Sequence, residues 1–476
     1  METVSNKRDV VIGLEIHAQV QTQSKMFSPD SADFASEGNE NIHPVSLGFP
    51  GVLPCLNKKV VESALQVGVA FHCQIQEKSI FARKNYFYPD LPKGYQISQF
   101  DLPLLREGFV EFYSQGEKRK VHLERIHLEE DAGRLLHHKD YSLVDFNRAG
   151  VPLLEIVSYP EISSPNEAAE YAKMVRNILL YLKVCDGNLQ EGSMRFDCNI
   201  SLKPKGSSKL GTKVELKNLN SFRFMEKALN FEIKRQSHLL DNGESVQQET
   251  RLFNPKKNET FPMRSKEEAS DYRYFPEPDL PPLMIKKPNA LSIKELPFDK
   301  INRFCSKYKL PLNSASIIVG EMELCSYFEE ALKQTAHAKT LCNWLINEVM
   351  ARLHENKISI QKMLIQPHQM AEFVNRIEAK TLSSKMAKNV FTEMWNTGKS
   401  VDTLIKDLNL TKLDSEEDLL KIINQVFNEF PKQVEQYRGG KTGVYKFLMG
   451  QVMRLSKGQA DPVKTDSLLK KMLEKQ

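Results

Sequence analysis

The sequence predicts an α+β fold with an antiparallel sheet for the first part of the chain, and an all-helical fold for the rest. Up to about residue 290, short segments alternate apolar and polar residues with the period of two that is typical of strands. A proline-rich passage at residues 275–282 ends this pattern, because proline lacks an amide donor and favours extended backbone. From about residue 295, apolar residues recur at helical spacing, which indicates a run of amphipathic helices.

Two predicted strands, at residues 10–20 and 192–202, each have one apolar side and one polar side. Because successive side chains of a strand point to opposite faces, we expect a sheet that lies on a core and leaves a polar face open. The polar sides carry these candidates for chemistry: Glu15, His17, Arg195, Asp197 and Asn199.

Three helices are expected to interrupt the strands, at residues 58–71, 164–184 and 221–241. Each has a side chain suited to capping its first turn: Asn57, Ser164 and Ser221 respectively. The later amphipathic helices are predicted at residues 325–334, 340–354, 368–377, 383–395, 415–430 and 442–456. These patterns predict three domains, at residues 1–294, 295–360 and 361–476.

The composition is that of an ordinary water-soluble chain of 476 residues, with 41% hydrophobic and 27% charged residues and a net charge of +5. No run approaches the roughly 20 apolar residues of a membrane span, and the N-terminus lacks an apolar signal segment. We therefore expect a cytoplasmic protein with no membrane contact. The seven cysteines contain no CxxC pair, which disfavours both a disulfide framework and a cysteine zinc site.

Carboxylates and imidazoles recur on the predicted strands. Glu15 and His17 are two residues apart and share a face. The segment 121–131 carries further acids near its end, with a bulge expected near residues 124–125. Glu155 interrupts an apolar strand, where a carboxylate is costly unless it is paired or binds a cation. Singly, each residue is better explained by a salt bridge or a solvated strand edge. Together, on adjacent strands, they fit a site for Mg²⁺ or Mn²⁺ as well as they fit those alternatives.

Basic and aromatic residues interleave at residues 83–99, where they could hold phosphates and stack on a base, or simply form a tyrosine-rich surface hairpin. In the tail, Gly440-Lys441-Thr442 is not a phosphate loop, because Glu435 stands where that motif requires glycine. Residues 431–476 carry ten Lys/Arg and four Asp/Glu, a net charge of +6. Such a segment suits contact with an RNA backbone, or is a solvated surface.

Long motifs spread over nearly the whole chain resemble the B subunits of the aspartyl/glutamyl-tRNA amidotransferases. They are VIGLEIH at 11–17, HLEEDAGR at 127–134, VPLLEIV at 151–157, KVELKNLNS at 213–221, QETR at 248–251, DYRYFPEPD at 271–279, NW at 343–344 and SKGQA at 456–460.

This resemblance implies a cradle-like N-terminal domain, a helical domain and a helical tail domain that contacts tRNA. It implies a heterotrimer in which the A subunit is the glutaminase that releases ammonia, and the small C subunit straps the other two together. The B subunit would bind misacylated Glu-tRNA(Gln), Asp-tRNA(Asn) or both. It would then use ATP and Mg²⁺ to phosphorylate the side-chain carboxylate before ammonia displaces the phosphate. Some relatives carry paired zinc cysteines between the first strand and residue 54, but residues 21–54 contain none here, so we expect no zinc.

The resemblance also assigns roles to individual residues. The expected Mg²⁺ ligands and catalytic residues are Glu15, His17, Glu129, Glu130 and Glu155. The residues expected to cover the nucleotide are Lys84, Tyr86 and Tyr88. Those expected to bind phosphate and the acyl end are Arg195, Asp197 and Asn199. Those expected to contact tRNA are Arg438, Lys441, Lys446, Arg454 and Lys457.

Two other classes of function remain open from the residues alone. One is a tRNA-binding scaffold whose partners do all the chemistry, and the other is a metal-dependent hydrolase unrelated to tRNA. Acidic and imidazole side chains on one strand face favour an enzyme over a scaffold, and the basic tail disfavours a small-molecule hydrolase.

Overall fold

The chain forms two compact units, residues 1–300 and 301–476, in a computed structural model. The structure describes residues 7–33, 37–263, 272–286, 293–408, 415–456 and 460–474. Asp271, from one of the motifs above, and Lys457, a predicted tRNA contact, lie outside these residues. Among the helices that the structure describes, none is long and apolar enough to cross a bilayer.

The first unit is built from strands and three long helices, and this confirms the α+β prediction. The strands are β1 (Arg8–Gln19), β2 (Gln74–Ile75), β3 (Lys78–Ser79), β4 (Phe81–Asn85), β5 (Tyr95–Gln99), β6 (Leu105–Arg106), β7 (Phe109–Ser114), β8 (Glu117–Glu130), β9 (Arg134–His137), β10 (Ser142–Asp145), β11 (Pro152–Ser158), β12 (Met194–Pro204), β13 (Val214–Leu219), β14 (Glu249–Asn254), β15 (Glu259–Pro262), β16 (Phe275–Pro276) and β17 (Leu283–Met284). The helices are α1 (Lys58–Ala70), α2 (Pro165–Tyr181) and α3 (Phe222–Asp241).

One large sheet dominates this unit, in the order β15-β14-β13-β12-β1-β11-β8-β6-β2, with β7 paired to β8. Its pairings are antiparallel except that of β13 with β14, which is parallel. The sequence did not predict this exception. It arises because α3 connects the two strands, and a crossover of that length allows them to run in the same direction.

The apolar face of the sheet forms the core. Ile12 and Ile16 of β1 and Phe196 of β12 are buried, and the Phe196 ring lies 5.4 Å from that of Phe222 at the start of α3. The three predicted N-caps are confirmed, because Asn57, Ser164 and Ser221 each accept a hydrogen bond from a backbone amide in the first turn. The opposite, polar face of the sheet is therefore left for chemistry.

The predicted bulge in β8 is also confirmed. Arg125 pairs with Val157 and Leu123 pairs with Ser158, so Glu124 is an extra residue without a counterpart on β11. The bulge resets the alternation of side chains along β8, which decides which of its acids face the polar side.

A buried ion pair joins distant parts of the segment between β1 and α1. Lys25, which is fully buried, places its Nζ atom 2.8 Å from Asp30, and the same Nζ donates to the carbonyl oxygen of Asn41 at 2.7 Å. Ser46 Oγ donates to the same carboxylate oxygen, Oδ2 of Asp30, at 2.8 Å. The expectation of no zinc in this segment stays a prediction.

Helices make up the rest of the chain, as predicted. They are α4 (Pro297–Tyr308), α5 (Leu312–Gly320), α6 (Met322–Ala331), α7 (Ala338–Trp344), α8 (Met350–Asn356), α9 (Pro367–Glu378), α10 (Ser384–Thr397), α11 (Val401–Asp407), α12 (Glu416–Glu429), α13 (Pro431–Arg438), α14 (Val444–Leu455) and α15 (Pro462–Glu474). A π-helical turn, Leu345–Val349, joins α7 to α8 within the helix predicted at residues 340–354. The six predicted helices are confirmed with ends that differ by at most three residues.

Two groups of helices pack separately within the second unit. Trp344 at the end of α7 contacts Phe373 of α9 and Phe391 of α10, so helices on both sides of residue 360 share one core. The helices α12 to α15 enclose another core, which includes Ile423 and Leu448. Gly440-Lys441-Thr442 forms the turn between α13 and α14, where the preceding segment is a helix rather than the strand that a phosphate loop needs.

Candidate functional site

A row of charged side chains crosses the polar face of the large sheet. The strand register places His17 of β1 opposite Arg195 of β12 on one side and Glu155 of β11 on the other. Glu155 in turn lies opposite His127 of β8. In an antiparallel sheet, residues directly opposite each other have neighbouring side chains, so the four groups are held side by side by backbone pairing alone.

Three carboxylates converge on the two imidazoles of this row. His17 Nε2 lies 3.4 Å from an oxygen of Glu15 and 3.4 Å from Oε2 of Glu155. His127 Nε2 lies 3.2 Å from the same Oε2 and 3.7 Å from Oε2 of Glu129. The donors form two groups, Glu15–His17–Glu155 and His127–Glu129–Glu155, and within each group the donor atoms lie within 4.8 Å of one another. Oxygen and imidazole donors in this arrangement fit a hard divalent cation.

The cluster shifts the pKa values of its members in opposite directions. Burial raises the pKa of the Glu15 carboxyl to about 7, and the charge of Glu155 adds to the rise. Burial alone would raise the pKa of Glu155, but His127 and His17 hold it well below its usual range. Burial alone would lower the pKa of His127, yet Glu155 and Glu129 raise it to about 9. Groups whose pKa values diverge this way are typical of functional sites.

A small second sheet, in the order β16-β4-β5, orients Glu129. Ser98 of β5 donates a hydrogen bond to Glu129 Oε2 at 2.7 Å, and Gln96 donates to Oε1 at 3.0 Å. Lys84 of β4 places its Nζ 3.6 Å from Glu129 Oε2. Burial would raise the pKa of Glu129, but the charge of Lys84 and the hydrogen bond and charge of His127 together hold this pKa below its usual value.

The predicted ligand Glu130 is not part of this cluster. It follows Glu129 in β8 and therefore points to the opposite, core-facing side of the strand. There its carboxylate accepts a hydrogen bond from the backbone amide of Ile97 at 2.9 Å and forms an ion pair with Lys93. The sequence assigned both neighbouring acids to one metal, and strand alternation separates them.

Of the three residues predicted to cover the nucleotide, Lys84 and Tyr86 lie near the cluster and Tyr88 does not. Lys84 faces the cluster and also lies over the ring of Tyr272, 5.4 Å from its centroid. Tyr86 is nearby, with its hydroxyl 3.1 Å from the side-chain oxygen of Gln96. Tyr88 lies beyond the end of β4, is 57% exposed and lines a separate shallow cavity with Phe87.

A basic cavity of about 670 Å³ adjoins the cluster, and His17, Arg195, Asp197 and Lys217 are among the residues that line it. Arg195 donates from Nη2 to Asp131 at 3.0 Å, while its buried Nε has no hydrogen-bond partner among the described residues. Lys217 lies 3.6 Å from Asp197. Asn199, two residues further along β12, does not line the cavity.

Several members of the site were not predicted. His127 in β8 and Asp131 directly after it share the polar side with Glu129, because the three are spaced by two residues after the bulge. Applying the alternation from residue 127 onward would have found both and excluded Glu130. Lys217 lies in β13, within the motif at 213–221, and Gln19 donates to Asp131 at 3.0 Å.

In the tail, four of the five predicted tRNA contacts are described, and all four are exposed: Arg438, Lys441, Lys446 and Arg454. They lie on or between α13 and α14, whose apolar residues Val434, Leu448 and Val452 pack inward.

Comparison with known proteins gives matches along most of the chain. The family model described as the GatB/GatE catalytic domain matches residues 10–290, and the one described as the GatB domain matches residues 326–473. A relative from Thermodesulfovibrio yellowstonii is 49% identical over 98% of this chain and 99% of its own length. Relatives from Thermoanaerobacter pseudethanolicus and Bdellovibrio bacteriovorus are 47% and 44% identical, each over 98% of this chain and over 100% and 98% of their own lengths. All three are named as the B subunit of an aspartyl/glutamyl-tRNA(Asn/Gln) amidotransferase.

Proposed function

This chain belongs to the B-subunit family of the aspartyl/glutamyl-tRNA(Asn/Gln) amidotransferases, and we propose that the polar face of its large sheet activates the substrate carboxylate. The family's members are ligases that form a carbon–nitrogen bond with glutamine as amido donor and use ATP. The observation that carries the proposal is the cluster of Glu15, His17, His127, Glu129 and Glu155 beside a basic cavity.

The reaction explains why such a site is needed. A carboxylate does not react with ammonia, because its oxygen is a poor leaving group. When the side-chain carboxylate of Glu-tRNA(Gln) or Asp-tRNA(Asn) attacks the γ-phosphorus of ATP, ADP leaves and the oxygen becomes part of an acyl phosphate. Ammonia then attacks the acyl carbon, phosphate leaves, and the nitrogen loses a proton to give the amide. The first step requires in-line positioning and neutralised charge on the phosphate oxygens.

We propose that Glu15, His17, Glu129 and Glu155 hold Mg²⁺, a role that their oxygen and imidazole donors fit. A bound Mg²⁺ would neutralise charge on the phosphate oxygens. The hydrogen bonds from Ser98 and Gln96 keep the Glu129 carboxylate in place, as supporting groups around a metal ligand do.

The groups beside the cluster are proposed to hold the two substrates. Lys84 of β4 and Tyr86 just beyond it would face the nucleotide, since Lys84 approaches Glu129 and the Tyr86 hydroxyl donates to Gln96 beside it. Arg195 would bind an anionic oxygen of the transferred phosphoryl or the acyl group through its free Nε, while Asp131 holds the other end of the guanidinium. The roles of Tyr88, Asp197 and Asn199 stay predictions.

The family name refers to one component of a larger complex. We propose that a glutaminase partner, the A subunit, supplies the ammonia and that a small C subunit joins this partner to the chain. We also propose that the tail contacts tRNA through Arg438, Lys441, Lys446 and Arg454. We further propose that the division between middle and tail helices lies after α11 rather than at residue 360, which the contact of Trp344 with Phe373 supports.

The test is ATP hydrolysis by the chain assembled with its two partners, with and without Glu-tRNA(Gln) or Asp-tRNA(Asn). We expect phosphate release that depends on a misacylated tRNA, disappears in EDTA and is lost in Glu15→Ala. Unstimulated hydrolysis with intact tRNA binding would instead support a scaffold whose partners perform the chemistry.

A further inference from the structure

We propose that the outer strands of the large sheet, β13 to β15, hold the terminal nucleotide of the acylated tRNA, with its adenine base stacked on Phe261. This inference rests on the proposed function and deepens it, because it names a contact for the nucleotide that carries the acyl group. Phe261 is 44% exposed at the edge of the sheet, and none of the motifs given above includes it.

Phe261 lies on the same face of the sheet as the charged cluster. Between β13 and β14, Glu215 lies opposite Thr250 and accepts a hydrogen bond from its hydroxyl at 2.7 Å. Two residues further along, Lys217 of the basic cavity lies opposite Leu252, and Leu252 lies opposite Phe261 on β15. Opposed residues are neighbours on one face, so the row of side chains that begins in the cavity ends at Phe261.

The edge of this face is apolar and exposed. Helix α3 packs on the other face of β14 and β15, where Phe253 is buried with its ring 5.7 Å from that of Phe224. On the polar face, Phe261 and Met263 are exposed beside the half-buried Leu252. An exposed aromatic ring at the rim of a polar site suits a nucleobase, because every base offers a flat face for stacking.

The width of this face matches the length of the substrate. Neighbouring strands lie about 4.8 Å apart, so β15 lies about 14 Å from β12, the strand that carries Arg195. In an acylated tRNA, about eight or nine covalent bonds separate the side-chain carboxylate from the adenine, an extended length of about 11 Å. A carboxylate held at Arg195 would therefore bring its base over β14 and β15.

ATP and the acylated tRNA would approach the cluster from opposite sides. Lys84 and Tyr86, which are proposed to face ATP, lie beside Glu129 of β8. In the order of the sheet, β13 to β15 lie on the other side of β1 and β11. In-line phosphoryl transfer requires the attacking oxygen to lie opposite the leaving group. The outer strands are therefore the side left for the terminal nucleotide of the substrate.

The turn between β14 and β15 has a charge that complements this occupant. Lys256 and Lys257 are exposed in the turn, where Asn254 accepts hydrogen bonds from both of their backbone amides. Because β13 and β14 are parallel, the turn lies at the same end of the sheet as Leu219 and Asn220, which line the basic cavity. Two cations at this end suit the phosphates that precede the terminal nucleotide.

The experiment measures kcat/KM for phosphate release by the assembled complex with Glu-tRNA(Gln) and with the same tRNA ending in an abasic ribose. Wild type should use the abasic substrate about tenfold less well, as expected for one lost stacking contact. Phe261→Ala should lose about tenfold on the normal substrate and nothing further on the abasic one, because both changes remove the same contact. Phe261→Tyr, which keeps the ring, should match wild type. Tyr159→Ala is the matched control, since this aromatic residue is 41% exposed in a separate groove with His72 and Glu161.

Equal loss in Phe261→Ala on both substrates, or no loss on either, would overturn the stacking proposal. A raised KM for ATP with unchanged tRNA kinetics would overturn it in favour of a contact with ATP, and weaker assembly of the complex would overturn it in favour of a protein partner. Thermal melting checks that each variant is folded. If wild type releases no phosphate with either tRNA, the proposed function fails. The affinities of wild type and Phe261→Ala for the normal and abasic tRNAs then decide the stacking proposal separately.

Discussion

Glu155 in the sheet is 5% exposed and lies within 3.4 Å of two imidazoles, whereas Lys441, Lys446 and Arg454 in the tail are exposed to solvent. In the sheet, strand register and hydrogen bonds fix each charge, so a small ligand would meet its partners at defined distances. In the tail, the cations form a diffuse positive surface, which suits the phosphate backbone of an RNA. The buried charges therefore fix the position of a small ligand, and the exposed charges attract a polyanion such as RNA.

The comparison predicts different sizes of mutational effect. A buried donor has no substitute, because neighbours cannot move into its place without leaving other charges unpaired. An exposed cation is one of several and is screened by salt. Changes in the sheet should therefore alter catalysis strongly, and changes in the tail should alter tRNA affinity weakly and in a salt-dependent way.

The largest effect is expected for Glu15→Ala in the assembled complex. Loss of this carboxylate should lower tRNA-dependent ATP hydrolysis by about 100- to 1000-fold, because the proposed cation site loses a ligand. The glutaminase activity of the partner should survive at least in part. Equal loss of both activities would count against the role, and Glu117→Ala, at the exposed start of β8, is the control that should change neither.

Metal affinity should depend on pH with a defined sign. The pKa of Glu15 is about 7, so this carboxyl carries a proton at low pH that a cation must displace. The affinity for Mn²⁺ should fall as the pH falls, by about tenfold for each unit below 7 as this one proton is displaced. Dialysis between pH 6 and pH 9 measures this, and an affinity independent of pH would exclude Glu15 as a ligand.

A smaller effect is expected for Arg195→Lys. Lysine keeps the charge but cannot hold Asp131 and also present a second donor to the cavity. We expect kcat/KM to fall about fivefold, which corresponds to about 1 kcal/mol and the loss of one hydrogen bond. An unchanged kcat/KM would show that Nε makes no contact with substrate. Arg176→Lys is the control, because this arginine binds the carbonyl oxygen of Gly187.

The smallest effects are expected in the tail. Lys441→Ala and Lys446→Ala should each weaken tRNA binding about two- to threefold and reduce the slope of log affinity against log salt by about one. Filter binding at several salt concentrations measures both quantities. Lys421→Ala, whose charge Asp418 neutralises at 3.2 Å, should leave the slope unchanged. Unchanged slopes in all three variants would show that the tail cations are solvated and make no contact with tRNA.

The same comparison explains what the sequence could predict. The period-two pattern of β1 and β12 predicted their polar faces, since alternation is visible within a single strand. The meeting of Glu155 with His127 depends on pairing between distant strands, which no local pattern encodes. Glu130 was assigned from the resemblance, and it lies apart from Glu129 because neighbouring strand residues face opposite ways.

Five described helices were not predicted: α4, α5, α11, α13 and α15. The helices α4, α13 and α15 begin at a proline, and α5 begins just after one. Proline at the first helical position loses no hydrogen bond and favours the helical φ angle, as it does in the predicted helices α2 and α9. The seven-residue α11 is too short to show a periodic pattern.

We infer that the polar face of the sheet activates the side-chain carboxylate of the misacylated tRNA and does not supply ammonia. The most direct test gives the complex ATP, Glu-tRNA(Gln) and ammonium chloride in place of glutamine, and compares wild type with Glu155→Gln. We expect the wild-type complex to form Gln-tRNA(Gln) and the variant to form none, because external ammonia cannot replace carboxylate activation. Product formation by the variant at the wild-type rate would contradict the account.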